Sequence, residues 1–89
     1  MQVRELPIIN RLGLHARACA RIVHIASRFH CKVSLVAKGR RASARNIIAV
    51  MLLTASVGTT VRLETDGPDE VAAMREIAQL FHDGFGERS

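Results

Sequence analysis

The hydrophobic spacing of this chain switches repeatedly between a period of two and a period of about 3.6, and no other feature restricts its fold so strongly. Between Ala16 and Phe29 the apolar positions Cys19, Ala20, Ile22, Val23, Ala26 and Phe29 recur at three- and four-residue steps. That spacing predicts an amphipathic helix with Arg17, Arg21, His24 and Arg28 on its other faces. Cys31, Val33 and Leu35 alternate with Lys32 and Ser34 as in a half-buried strand, Lys38-Gly39-Arg40 is a turn, and Arg41-Ala42-Ser43 is a short return strand. Val61 and Leu63 alternate again within a strand from Thr60 to Thr65, introduced by Gly58. Val3 to Ile9 is β-branched enough for a strand, with Pro7 confined to an edge or a strand end.

Two further helices complete the order. Asn46 is a good N-cap for a short helix from Ile47 to Leu53. Asp66-Gly67-Pro68-Asp69 combines turn chemistry with a helix start, and Val71, Met74, Ile77, Ala78 and Phe81 mark the buried stripe of a last helix, stopped by Gly84 with a loose tail to Ser89. The order β-α-β-β-α-β-α describes an α+β fold: one domain over residues 1–89, with a four-stranded antiparallel sheet, three helices on one face and the other face open to water.

The stretch Gly13-Leu14-His15-Ala16-Arg17 sets an imidazole and a guanidinium at the start of the first helix. A helix start carries unpaired N–H groups and the positive end of the macrodipole, so it receives anions such as phosphate. The same field disfavours imidazolium, which keeps a histidine there neutral and nucleophilic, and Arg17 adds a charged planar fork suited to phosphate oxygens. The plain alternative is a solvated His and Arg at an ordinary helix end. Ile47 to Leu53 is apolar nearly all round, more than a helix so short can bury in a domain of 89 residues. Ile47, Ile48 and Met51 are therefore either core or an exposed docking patch.

A net charge of +5 favours acidic partners without choosing among them. A nucleic-acid-binding module would use Arg21, Arg28, Lys32, Lys38, Arg40 and Arg41, but base-stacking aromatics are missing from the strands. A metal site would draw on His15, Cys19, His24, His30 and Cys31, yet no paired spacing completes it, and the two cysteines read better as small core residues. No catalytic triad or carboxylate pair can be argued, and Glu5, Glu64, Asp66, Glu70 and Glu76 read as surface charge. Two cysteines without a signal-peptide pattern point to a cytosolic protein with reduced thiols, and the apolar run Ile47 to Leu53 is too short to enter and cross a membrane.

The order of elements and Gly13-Leu14-His15-Ala16-Arg17 together resemble the histidine-containing phosphocarrier (HPr) family of the bacterial phosphoenolpyruvate-dependent phosphotransferase system. Lys38-Gly39-Arg40, Ala42-Ser43-Ala44-Arg45 and Glu64-Thr65-Asp66-Gly67 extend the likeness over almost the whole chain, and the ending Leu80-Phe81-His82-Asp83-Gly84-Phe85 looks more like the family's nitrogen-related branch. The resemblance implies an open-faced β-sandwich in which Nδ1 of His15 accepts a phosphoryl group from Enzyme I and passes it to an enzyme IIA domain, for sugar uptake or regulation. Such a chain is a stoichiometric intermediate, needs no cofactor or metal, and is a monomer by default. The resemblance also implies that Arg17 and the amides of Ala16 and Arg17 steady the phosphoryl group, and that Leu14, Ala20, Ile47, Ile48 and Met51 dock partners.

Two positions depart from the family pattern. Ala18 stands where many relatives have proline, which gives up rigidity at the helix start without removing the chemistry. Asn46 stands where relatives with a second, ATP-dependent phosphorylation have serine, so that control is expected to be absent, with Ser43 no substitute. The alternative is a basic nucleic-acid-binding or non-phosphorylated regulatory interaction module.

Overall fold

The computed structural model describes residues 1–87. Its strands are β1 (Gln2–Pro7), β2 (Lys32–Ala37), β3 (Arg40–Ser43) and β4 (Thr60–Asp66), and its helices are α1 (Ala16–Ala26), α2 (Ile47–Met51) and α3 (Glu70–His82). The strands form one antiparallel sheet in the order β1-β4-β2-β3, so Pro7 ends an edge strand, where its missing N–H removes nothing from the interior of the sheet. Lys38 and Gly39 both take positive φ, the conformation that a tight two-residue hairpin between β2 and β3 requires.

Strand alternation separates two faces. Leu6, Val33, Leu35, Ala37, Ala42, Val61 and Leu63 are buried together with Ile22, Val50, Ile77 and Phe81 in the core. Cross-strand partners share a face, so Val3, Ser34 and Glu64 lie together on the other one, as do Val36, Arg41 and Arg62. Glu64 is not simple surface charge. It is 8% exposed at the centre of the open face, and Arg41 donates to it at 2.5 Å while Arg62 lies at 3.4 Å. The Arg41 guanidinium holds the Glu64 carboxyl below the usual carboxylate range.

α1 and α2 are shorter than their apolar patterns. α1 stops at Ala26, followed by turn residues up to Phe29, and Arg45 fastens that turn by donating to the carbonyls of Ala26, at 3.2 Å, and Phe29. In α1 the buried side chains are Ala18, Cys19, Ile22 and Ala26, whereas Ala20 is exposed. α2 ends at Met51, with Leu53 buried beyond it. Val71 is 55% exposed, so the buried stripe of α3 begins instead at Ala73. Pro68 lies just before α3, and Asp69 occupies its N-cap position.

The segment after α3 is not loose. Residues Gly84–Gly86 form a 3₁₀ turn in which Phe85 is fully buried, its ring centroid 4.9 Å from that of Phe81. Phe85 holds a left-handed φ of 58°, an unfavourable conformation that burial of its ring offsets. Residues 88 and 89 lie outside the described residues. Among the described residues no helix is long and apolar enough to cross a membrane.

Candidate functional site

The loop before α1 is shaped by Gly13. Its φ is +63°, and a Cβ there would meet the Ala55 carbonyl oxygen at 2.6 Å and the Ser56 Cα at 2.9 Å, so the position admits only glycine without rearrangement. Leu14 N–H donates to the Ala55 carbonyl at 2.9 Å, and the Leu14 side chain is buried. Leu14 therefore anchors the loop in the core and offers little surface to a partner. Held in this way, the chain places His15 at the N-cap of α1 with extended backbone angles.

No side chain caps this helix and no acidic residue lies in its first turn. The first intrahelical bond runs from Cys19 N–H to His15 C=O, so the N–H groups of Ala16, Arg17 and Ala18 precede the helical ladder. Ala16 and Arg17 are exposed, and Ala18 is fully buried. His15, Ala16 and Arg17 line one concavity of about 550 Å³ together with Leu12, Arg21, Gly86 and Glu87. A half-buried imidazole, a guanidinium and free first-turn amides thus border a single open space. This is a setting for a nucleophilic nitrogen that takes up an anionic group and releases it again.

Glu87 is the residue that sequence reasoning missed. Its Oε2 pairs with His15 Nε2, and its Oε1 accepts from Asn10 Nδ2 at 3.0 Å. Hydrogen bonds from Asn10 and then from His15 hold its carboxyl below the usual range. Arg21 was expected as a basic face residue and a candidate nucleic-acid contact; its Nη1 donates to the Phe85 carbonyl at 2.5 Å and ties the C-terminal turn to α1. A Cβ on Gly86, whose φ is +77°, would meet that same nitrogen at 2.5 Å. The only sequence-level hint was Phe85, an aromatic just past the Gly84 stop and therefore a ready anchor.

The remaining expected site residues lie apart from this concavity. On α2, Ile48 is 61% and Met51 37% exposed, Leu52 joins them at 57%, and Ile47 is half-buried against the core. Ala20 lines a separate apolar groove with Arg17, Arg21, His24, Ile25 and Leu80. Asn46 caps α2 as expected, its side chain accepting from Ala49 N–H at 3.1 Å. Ser43 is exposed, and its hydroxyl accepts from Arg45 N–H at 3.2 Å.

The basic residues are largely engaged within the molecule. Arg28 pairs with Glu76 at 3.0 Å, Arg41 pairs with Glu64, and Lys38 and Arg40 donate to the carbonyls of Thr54 and Leu52. Cys19 is buried, donates to the Leu14 carbonyl at 3.3 Å, and has its thiol pushed up to about 11 by burial. Cys31 is likewise buried, and among the described residues no group of three or more His, Cys, Asp or Glu side chains could hold a metal ion.

A small open-faced sandwich with a histidine at an uncapped helix start defines a class of carrier scaffold, and comparison with known proteins identifies the family. Residues 2–83 match the family model described as "PTS HPr component phosphorylation site". Phosphocarrier protein HPr of Cupriavidus necator is 47% identical over 87 residues, with 98% of each chain covered, and that of Xylella fastidiosa strain Temecula1 is 46% identical with the same coverage. Among solved structures, HPr-C-His from Thermoanaerobacter tengcongensis superposes with a TM-score of 0.95 at 32% identity, covering 100% of both chains. The HPr of Bacillus anthracis superposes with a TM-score of 0.85 at 26% identity, covering 90% of this chain and 95% of that one. The chain belongs to the HPr family of phosphotransferase-system phosphocarriers.

Proposed function

We propose that this protein carries a phosphoryl group on Nδ1 of His15, receiving it from the phosphohistidine of Enzyme I and delivering it to an enzyme IIA domain or a regulatory target. The observation that supports this reading best is the half-buried imidazole at a helix start with no side-chain cap and no acid in its first turn, facing the same concavity as Arg17. In the accepting step the Nδ1 lone pair attacks phosphorus, the N–P bond to the donor imidazole breaks, and that imidazole leaves with the electron pair. Arg17 and the Ala16 and Arg17 amides oppose the charge on the transferred oxygens. An open site with one arginine stabilises the phosphoryl group only modestly, which suits a carrier that must release it again. The chain is thus a stoichiometric intermediate, and delivery to a transporter or to a regulatory protein draws on the same histidine chemistry.

Docking falls to the exposed apolar side chains Ile48 and Met51, with half-buried Ile47, exposed Leu52 and, on α1, Ala20. Asn46 carries no hydroxyl, so a kinase acting at that position has no acceptor. The test is the intact mass of wild type and His15→Ala after incubation with phosphoenolpyruvate and a cognate Enzyme I. One added phosphoryl group on wild type alone, lost in acid and kept in base, supports the carrier. An unmodified wild type overturns it.

A further inference from the structure

His15 and Glu87 are separated by 72 residues, and Asn10 and Glu87 by 77, yet the three side chains form one hydrogen-bonded line. Asn10 is 1% exposed, and its Nδ2 uses both protons, one to the Gly13 carbonyl at 2.9 Å and one to Glu87 Oε1 at 3.0 Å. Its orientation is chemically dictated. A flipped amide would set Oδ1 against a carbonyl and a carboxylate, both of which only accept. Oδ1 itself is buried with no partner among the described residues, a loss tolerated where both N–H donors are needed.

The second oxygen of Glu87 lies on His15 Nε2. An ionised carboxylate can only accept, so Nε2 carries the proton, and in the neutral ring Nδ1 then carries the lone pair. Among the described residues the other charged groups bordering His15 are Arg17 and Arg21, both cationic, so Glu87 is the anion that meets it in this concavity. The carboxylate is held in place by its own turn as well, since Phe85 is buried and its carbonyl accepts from Arg21.

We infer that Asn10 and Glu87 are positioning residues that hold His15 as the Nε2–H tautomer and present Nδ1 to phosphorus. This rests on the carrier reading above. When Nδ1 forms its bond to phosphorus, the Nε2 proton stays in place and the ring becomes cationic. Glu87 then faces that cation directly, which stabilises the phosphorylated ring and keeps it a good leaving group for the next transfer. Asn10 acts one step further back, by fixing the carboxylate and, through the Gly13 carbonyl, the loop that carries His15.

The experiment is ¹⁵N NMR of the His15 ring in unphosphorylated wild type, Glu87→Ala, Glu87→Gln and Asn10→Ala, paired with the rate of phosphorylation by Enzyme I. Wild type is expected as a single Nε2–H tautomer. Glu87→Ala is expected to give a tautomer mixture and to slow transfer on the order of tenfold or more. Glu87→Gln keeps one carbonyl oxygen, which cannot serve both Asn10 Nδ2 and His15 Nε2, so it is expected to weaken the tautomer preference and to slow transfer because the cation is unopposed. Asn10→Ala should follow Glu87→Ala in direction; Glu87→Ala, which lies after the last turn and outside the core, decides the matter if Asn10→Ala does not fold. Unchanged ring resonances and an unchanged rate in Glu87→Ala would overturn the inference while leaving the carrier intact. A wild type that Enzyme I does not phosphorylate would overturn the carrier, and the ring resonances would still decide the tautomer.

Discussion

The two long helices of this molecule begin in opposite ways. At the start of α3 the chain supplies its own negative charge: Glu70 accepts from Gly67 N–H at 3.1 Å and pairs with the Met1 amino group at 2.9 Å, while Asp69 accepts from His30 N–H at 2.7 Å. At the start of α1 there is no acid in the first turn; Ala16 and Arg17 are exposed, and the one carboxylate that approaches among the described residues, Glu87, comes from the C-terminal segment and pairs with the His15 ring. Both termini present the same backbone dipole. The difference teaches that a helix start can be completed internally, as a structural joint, or left for an anion from outside, and that the acids in the first turn distinguish the two.

The most severe way to break this contrast is to remove the loop that opens α1. Gly13→Ala adds a Cβ against the Ala55 carbonyl at a left-handed φ, and is expected to destabilise the fold by about 3 kcal/mol. In a domain of this size that lowers Tm by roughly 10 to 20 °C, measurable by thermal unfolding, with His15 displaced and phosphorylation lost. An unchanged Tm would show that the loop is set elsewhere.

A gentler change makes α1 resemble α3. Ala16→Glu adds an acid to the exposed first turn, where it raises helix stability by about 0.3–1 kcal/mol but occupies the field proposed to receive the phosphoryl group. Phosphorylation by Enzyme I is expected to slow on the order of tenfold while unfolding barely changes. If the rate holds, the vacancy of acids at α1 has no bearing on transfer.

The smallest effect sharpens the comparison from the α3 side. Asp69 is held below the usual carboxylate range chiefly by the His30 N–H, and Glu70 chiefly by the hydrogen bond from the Met1 amino group. Depressed folded-state values mean that these carboxylates contribute stability above their unfolded range, near pH 4, and lose it as pH falls further through the folded values. Stability should therefore decline below about pH 4, and less so in Glu70→Gln, whose phosphorylation should match wild type. Denaturant unfolding as a function of pH measures this; an identical decline in both proteins would remove Glu70 from the account.

Much of this was legible locally. The alternation around Val33 and Leu35 and around Val61 and Leu63, and the three- and four-residue steps from Cys19 to Ala26, reflect the geometry of strands and helices, so element type and order followed from spacing. Asn46 read as a cap because capping involves neighbours, and Gly13-Leu14-His15 marked a helix start for the same reason. What spacing concealed was which apolar residues would be covered: Val71 and Ala20 fit a buried stripe yet face outward, and Leu14 fits a docking surface yet fills the core.

The sequence by itself determined the elements, their order, and the placing of His15 and Arg17 at the head of a helix, because these depend on residues a few positions apart. The tertiary structure alone decided that Phe85 would bury its ring against Phe81, that Arg21 would clasp the turn, and that Glu87 would reach Nε2 of His15 with Asn10 behind it. Phe81 and Phe85 are only four positions apart, but the Arg21, His15 and Asn10 contacts join residues 64 to 77 positions apart, and their physical cause is the packing of α3 on α1 and β1, which brings the C-terminal turn beside the loop that begins α1. No local period encodes such a meeting.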